Sequence, residues 1–133
     1  MDKVQALVRA ASAGNEEEIS ILLDSGVPID AQDGDGWNAL HAAIENERMG
    51  CISLLVDNGA DLGCVVNGLT PLAHAVDISI DGTIQTGGTP GDEPVDIVRY
   101  LLSLGADPLP GLKVAESYAS QKLIALLSGA KHR

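Results

Sequence analysis

Residues 36–62, "GWNALHAAIENERMGCISLLVDNGADL", predict a pair of short helices followed by a glycine stop. Alanine lies at the centre of the first segment, as Ala42-Ala43, and such small side chains let neighbouring helices approach closely. Gly59 follows the apolar residues of the second segment, where a left-handed C-cap favours a residue without Cβ. One helix pair cannot bury its apolar face alone, so this run predicts a stack of repeats.

The same pattern recurs along the chain, and the first two copies share a spacing of 33 residues, which is the sign of a repeat architecture. An earlier copy contains "AASAGNEEEISILLDSGVPID", and a later one contains "VDIVRYLLSLGADP". A fourth and weaker copy is "LKVAESYASQKLIALLSG". The pairs that share this spacing in the first two copies are Leu7 and Leu40, Ala10 and Ala43, Ile19 and Ile52, and Gly26 and Gly59.

The second helix of the first copy has the clearest local signals. Ile19, Leu22 and Leu23 have the i, i+3, i+4 spacing of one helix face. Asn15 precedes this segment and Glu18 lies three positions later, which resembles a capping box. The same pattern predicts that the second helices of the four copies end at Gly26, Gly59, Gly105 and Gly129.

This repeat resembles the ankyrin repeat, whose T-P-L-H-x-A motif corresponds here to residues 38–43, "NALHAA". The third copy keeps Thr70-Pro71, but its histidine is displaced by one position to His74, which we expect to be more exposed. The resemblance implies an all-α solenoid of about four helix-turn-helix repeats with short β-hairpin loops. It also implies that His41 bonds loop backbone, although a catalytic base is the alternative for a lone histidine.

The repeat register predicts a single domain with an insertion in its third copy. The interval from Gly68 to Gly105 is longer than the interval from Gly36 to Gly59 by about 14 residues, which a regular repeat does not contain. The segment "ADPLPGL" is then too short for a full hairpin finger before the fourth copy. The predicted units are repeats 2–34, 35–66 and 67–107 with insertion 79–93, and a C-terminal cap at 108–133.

The insertion lies within "AVDISIDGTIQTGGTPGDEPVDIV", which runs from residue 75 to residue 98. "ISI" and "TIQ" flank Asp81-Gly82, a two-residue hairpin signal. A hairpin and a mobile loop are both consistent with this composition, because an isolated hairpin is marginal in water. Pro94 is predicted to mark the start of the next helix.

The charge of the chain is strongly acidic and uneven. The formal net charge is −11, with 18 acids and 4 bases among residues 1–107. Such a body repels phosphate backbones, which argues against nucleic-acid binding, and attracts basic protein surfaces. The simpler interpretation of the charge is solubility.

The cysteines and the hydropathy pattern indicate a reducing compartment. Cys51 and Cys64 do not form a disulfide framework, and Cys51 is predicted to be half-buried. The N-terminal residues lack the long apolar region of a signal peptide, and no apolar run is long enough to span a membrane. We therefore expect a cytoplasmic location and no membrane partner.

No catalytic or cofactor-binding constellation emerges from the polar motifs. The Asp-rich turn at 33–36 resembles a calcium loop, but Trp37 and Ile44 occupy liganding positions, so a hairpin turn is preferred. "GTIQTGGTPGD" lacks the Lys-Ser/Thr of a phosphate loop, and the two cysteines lack the cluster of a zinc site. We predict a non-enzyme without cofactors.

Trp37 is the only tryptophan and aligns with a hairpin-tip position that faces partners in ankyrin repeats. It is predicted either to contact a partner or to fold back over Leu69 of the next copy. The ankyrin register, together with the insertion, predicts the partner-binding residues Asp35, Trp37, Glu45, Asn46, Asn67, Leu69, Asp77, Ile78, Ile80, Asp81, Ile84 and Gln85.

The resemblance implies a non-enzymatic protein-binding module. The acidic charge predicts a basic protein partner, and we expect the chain to be monomeric when free. This short acidic chain also resembles bacterial ankyrin proteins, some of which accompany secreted toxins. One specific hypothesis is therefore an immunity protein that neutralises a cognate toxin. The alternative is a scaffold or assembly protein without an inhibitory role.

Overall fold

The computed structural model describes residues 2–85, 95–118 and 120–131, with side chains for 2–80, 95–118 and 120–129. These residues form eight helices, and the predicted all-α class is confirmed. The helices are α1 (Lys3–Ala13), α2 (Glu16–Asp24), α3 (Ala39–Glu45), α4 (Met49–Asp57), α5 (Pro71–Gln85), α6 (Asp96–Ser103), α7 (Leu109–Ser117) and α8 (Gln121–Lys131).

The chain divides into two compact units, Met1–Gly68 and Leu69–Arg133, which we call unit 1 and unit 2. In unit 1, α1 packs against α3 and α2 against α4, so corresponding helices of successive repeats lie side by side. In unit 2, α7 packs against both α5 and α8. The core side chains are mostly Leu, Ile, Val and Ala, whose burial is the main stabilising term. The predicted repeat boundaries stay predictions.

The helix stops follow the glycine pattern in most copies. The Asn15 side chain accepts a hydrogen bond from the Glu18 N–H at 3.1 Å, which confirms this residue as the N-cap of α2. Gly26, with φ 101°, ends the same helix, and the Val27 N–H donates to the Leu22 carbonyl at 3.3 Å. The prediction for Gly129 is wrong, since α8 continues to Lys131. A glycine inside a helix costs only about 1 kcal/mol, so its presence alone does not end one.

The predicted hairpin around Asp81-Gly82 is also wrong, because α5 continues as a helix through Gln85. The helix is started by Thr70, whose Oγ1 accepts the Ala73 N–H at 3.2 Å. Each further residue then adds one backbone bond to an existing helix, whereas an isolated hairpin gains little in water. The remainder of the predicted insertion from 86, together with Pro94, lies outside the described residues.

The connection between α6 and α7 is much shorter than the loop between α2 and α3, which is the first predicted hairpin finger. Residues 25–38 connect α2 to α3, whereas only residues 104–108 separate α6 from α7. The prediction that "ADPLPGL" is too short for a full finger is therefore confirmed. α7 begins directly after Pro108, which serves as its N-cap.

Glu47 has a left-handed backbone in the turn between α3 and α4, with φ 55°. The corresponding residue of the preceding repeat is Gly14, with φ 80°. A residue other than glycine loses about 1–2 kcal/mol of stability when its backbone is left-handed. Substitution by glycine removes this strain, but part of the gain is lost because glycine makes the unfolded chain more flexible. We expect Glu47→Gly to raise the free energy of unfolding by about 0.5–1 kcal/mol in urea titrations.

The control for this prediction is Glu17→Gly, a glycine placed within α2. It removes the same charge but is expected to destabilise the chain by about 1 kcal/mol. A loss of stability in Glu47→Gly would contradict the assignment of strain to this turn.

Candidate functional site

The loop before α3 is organised by one carboxylate. Asp33 Oδ1 accepts the N–H of Asp35 at 2.9 Å and the N–H of Trp37 at 3.1 Å. The Asp33 N–H donates in turn to the Trp37 carbonyl at 2.9 Å, and Gly36 takes a left-handed φ of 84°. The interpretation of this acidic run as a turn rather than a calcium loop is thereby supported, because its first aspartate bonds backbone.

The base of this loop is held by Asn38 and His41, both buried. Asn38 Oδ1 accepts the His41 N–H at 2.9 Å and caps α3, while its Nδ2 donates to Cys64 Sγ at 2.9 Å. His41 Nε2 lies 2.8 Å from the Cys64 carbonyl oxygen, which can only accept, so this nitrogen carries the proton. The structural role predicted for His41 is confirmed.

A groove of about 230 Å³ lies in unit 1 beside the ordered loop. α1, α3 and the loop each contribute residues to its walls. We call it the Trp37 groove, and it is lined by Val8, Ser12, Asp33, Trp37, Ala42, Glu45 and Asn46.

One end of the groove is fixed by hydrogen bonds between α1 and the end of α3. Asn46 Nδ2 donates to Ser12 Oγ at 2.8 Å and to the Ala42 carbonyl at 2.9 Å. Arg48 Nε donates to the Ser12 carbonyl at 3.1 Å. Both hydrogens of the Asn46 side-chain amide are thus used within the chain. The side-chain carbonyl oxygen, Oδ1, is the atom that Asn46 offers to a ligand.

The acidity of the chain is concentrated in the unit that contains the groove. Residues 1–68 hold 12 acidic and 3 basic residues, a formal charge of −9. Residues 69–133 hold 7 acidic and 5 basic residues, a formal charge of −2. Among the described residues that line the groove, two are carboxylates and none is lysine or arginine.

The structure brings together three of the predicted partner-binding residues. Trp37, Glu45 and Asn46 line the groove, and Trp37 is half-buried there. Asp35 and Asn67 are exposed in the loops of unit 1. The groove residues that the sequence did not single out are Val8, Ser12, Asp33 and Ala42.

The predicted residues of unit 2 lie on or before α5. Leu69, Asp77 and Ile78 are not fully buried, and the Tyr118 hydroxyl lies 3.5 Å from Asp77 Oδ1. Ile80 is only 4% exposed, which contradicts its prediction as an exposed contact, because it lies one helical turn after the buried Val76. The side chains of the remaining three, Asp81, Ile84 and Gln85, lie outside the described residues.

Two further predictions about burial are corrected. His74 is buried rather than more exposed, since it lies in the buried run at the start of α5. Cys51 is fully buried rather than half-buried, since it lies on the inner face of α4. Across the described ranges, no three or more His, Cys, Asp and Glu side chains are grouped so that they could hold a metal ion.

Both cysteines are free thiols with a raised pKa. Burial is the main cause for each, and the carboxylates of Glu16 near Cys51 and of Asp30 near Cys64 act in the same direction. A raised pKa leaves less thiolate at neutral pH. We expect iodoacetamide to label both thiols of the folded chain at least about tenfold more slowly than in urea at pH 7.5.

The pH dependence tests the cause of this slow labelling. The rate at the half-buried Cys64 should keep rising above pH 9, because its folded-state pKa exceeds the ordinary value. A rate that levels off below pH 8.5 would contradict the raised pKa. Mass spectrometry of the labelled peptides separates the two sites.

None of the helices described between residues 2 and 131 combines the length and the apolar character needed to cross a bilayer.

Comparison with known proteins gives the family. Residues 7–110 match the family model of ankyrin repeats, in three copies. The nuclear factor NF-kappa-B p105 subunit of Mus musculus is 35% identical over 129 residues, covering 91% of this chain and 12% of that protein. The B-cell lymphoma 3 protein of Homo sapiens is 40% identical over 62 residues, covering 42% of this chain and 14% of that protein.

A plant relative is a potassium channel. The potassium channel AKT2/3 of Arabidopsis thaliana is 40% identical over 68 residues, covering 50% of this chain and 8% of that protein. The chain thus spans between 8% and 14% of the length of these three relatives. What they share with it is the repeat, a module for protein–protein interaction that is generally non-enzymatic. The match over residues 7–110 shows that this chain belongs to the ankyrin-repeat family.

Proposed function

We propose that this protein binds a basic protein partner through the Trp37 groove of unit 1. The observation that carries the proposal is the position of the only tryptophan in one concave site together with two acidic side chains, Asp33 and Glu45. Tryptophan is among the residue types most enriched at binding hot spots, and concave, partly apolar sites with few polar groups are where ligands dock.

The charge of unit 1 supports a basic partner. Its formal charge of −9 repels nucleic acids and acidic proteins and attracts cationic surfaces. The polar atoms that the groove offers include carboxylate oxygens and the Asn46 carbonyl oxygen, which are hydrogen-bond acceptors. A surface rich in acceptors complements the N–H donors of lysine and arginine.

Residues of unit 2 are proposed as a second contact with the same partner. Asp77 and Ile78 on α5 combine a carboxylate with a partly exposed apolar side chain. Leu69, which precedes this helix in unit 2, is half-buried, and Asn67, in the last loop of unit 1, is exposed. In the repeat register these two residues correspond to Trp37 and Asp35. The contribution of this second contact is tested by the double variant Asp77→Asn, Ile78→Ala in the capture experiment described below.

Two biological roles are consistent with such a binding site. An immunity protein would neutralise a basic toxin by covering its active cleft, whereas a scaffold would bind without inhibition. Co-expression with the captured partner distinguishes them, because only an immunity protein would restore the growth of cells that a partner toxin arrests. A scaffold would leave the partner's activity unchanged.

The deciding experiment is capture of partners from the source lysate with the intact chain, followed by mass spectrometry. The groove variant is Asp33→Asn, Glu45→Gln, in which the amide oxygen introduced by the first substitution still accepts from the loop backbone. The control variant is Glu17→Gln, Asp57→Asn, which removes two exposed charges outside the groove. The proposal predicts basic proteins that the groove variant loses and the control retains, and equal capture by both variants would reject it.

Salt dependence is a further prediction for the captured partner. We expect the association rate constant to fall by at least about tenfold between roughly 20 and 500 mM NaCl, because salt screens long-range attraction. The dissociation rate constant should change much less. Stopped-flow measurements that follow Trp37 fluorescence give both rates, and a salt-independent association rate would contradict electrostatic steering.

A further inference from the structure

The Trp37 groove has the size of a single long side chain. Its volume of about 230 Å³ is below the roughly 300–1,000 Å³ of pockets that hold small molecules and cofactors. Its walls are mixed: Val8 and Ala42 are apolar, the indole of Trp37 is aromatic, and polar side chains line the rest. A side chain with an apolar stem and a cationic head matches this arrangement.

We propose that the Trp37 groove is a specific subsite for one arginine side chain of the protein partner. The guanidinium lies against the indole of Trp37 and donates hydrogen bonds to acceptors of Asp33, Glu45 and Asn46. The methylene stem packs against Val8 and Ala42. This inference rests on the proposed function and names the group that the groove recognises.

The hydrogen bonds within the chain determine which atoms receive the guanidinium. Asp33 Oδ1 already accepts two backbone N–H groups of the loop, so Oδ2 is the oxygen that it presents to a ligand. The Asn46 amide donates both hydrogens to Ser12 and Ala42, and its Oδ1 remains as an acceptor. The Glu45 carboxylate has about four lone-pair sites, so it takes a further donor beside any bond within the chain.

Arginine fits this site better than lysine for two reasons. Its planar guanidinium stacks on an aromatic face. It is also more weakly hydrated than an ammonium group, so it loses less hydration free energy when it enters the groove. Its five donors form a planar fork that reaches several acceptors together, whereas lysine presents a point charge.

Two walls of the Trp37 groove are held in position before any ligand binds. The backbone that carries the indole is held in position by the loop, because both backbone polar groups of Trp37 are bonded to Asp33. The Asn46 acceptor is fixed by its bonds to α1 and α3. Binding therefore requires little ordering of the chain, which reduces the entropy lost on association.

The test uses the single tryptophan as a reporter. The intact ¹⁵N-labelled chain is titrated with the capped tripeptides acetyl-Gly-Arg-Gly-amide, acetyl-Gly-Lys-Gly-amide and acetyl-Gly-citrulline-Gly-amide. The indole N–H of Trp37 gives one NMR signal, which reports binding in the groove directly. We expect a saturable shift with the arginine peptide, affinity lower by at least about threefold for lysine, and by at least about tenfold for citrulline.

Variants connect the signal to the named acceptors. Asp33→Asn, Glu45→Gln should weaken arginine-peptide binding by at least about tenfold, whereas the control Glu17→Gln, Asp57→Asn should leave it within about twofold after matching ionic strength. Circular dichroism and urea unfolding verify that each variant is folded. A norleucine peptide tests whether the groove instead accepts an apolar side chain.

The outcomes separate this inference from the proposed function. Equal affinity for arginine and citrulline, preference for norleucine, or an unchanged affinity in the groove variant would overturn the arginine subsite. If the groove variant nevertheless loses basic partners in the capture experiment, the proposed function stands without the subsite. If arginine binds as expected but no basic protein is captured, the proposed function fails while the recognition of arginine by the groove holds.

Discussion

Trp37→Ala is expected to lower the affinity for the captured protein partner by about 30-fold, or about 2 kcal/mol. The indole forms one wall of the groove, and its removal takes away both apolar contact area and the aromatic face for a cation. The loss should appear mainly as faster dissociation, because the substitution leaves the charge of unit 1 unchanged. Surface plasmon resonance with the immobilised partner measures both rates.

The matched control for this variant is Ile21→Ala. Ile21 is an apolar side chain of α2, 54% exposed, and it does not line the groove. Its truncation should change the affinity less than about twofold. Trp37→Phe should lie between the wild type and Trp37→Ala, because it keeps an aromatic face of smaller area. Equal affinity of Trp37→Ala and the wild type would show that the partner binds elsewhere.

His41→Ala is expected to lower the free energy of unfolding by about 3 kcal/mol. The imidazole is completely buried, and its Nε2 donates to the carbonyl of Cys64, which lies far along the chain in the next loop. The substitution therefore leaves a cavity and removes the donor that holds one loop onto α3. Urea denaturation followed by far-UV circular dichroism measures the change. If the unfolding free energy depends on urea concentration with the same slope as in the wild type, the substitution has changed only the stability.

The control is Asn58→Ala at the end of α4. Asn58 is exposed and its Nδ2 donates to the Leu54 carbonyl at 2.8 Å, a local bond that water replaces. We expect it to cost less than about 0.5 kcal/mol. If His41→Ala costs no more than this control, the long-range bond is not a main support of the loop.

Local signals predicted the helix boundaries well where backbone geometry requires glycine. Gly26 and Gly59 have positive φ values of 101° and 94°, and both follow helices at the predicted places. The same signal was wrong at Gly129, which lies within α8. A glycine permits a left-handed stop without imposing one, and the helix continues wherever propagation is favourable.

The hairpin signal at Asp81-Gly82 shows how tertiary context overrides a short motif. The alternating isoleucines before it are typical of a strand, but Val76 and Ile80 are both buried and lie one helical turn apart. Helical spacing and strand alternation are both present in these few residues. The helix was favoured because it extends an element already capped at Thr70 and packed against α7.

The sequence by itself determined the family, the all-α class, most helix stops and the structural role of His41 within the repeat. These features repeat along the chain or depend on residues only a few positions apart, so they can be recognised without coordinates. The groove was decided by the tertiary structure alone. Val8 and Ser12 lie on α1, far before Trp37 in the chain, and they reach it only because α1 packs against α3. Spacing along the sequence does not encode which exposed side chains of two packed helices and a loop converge, since their distances are set by packing.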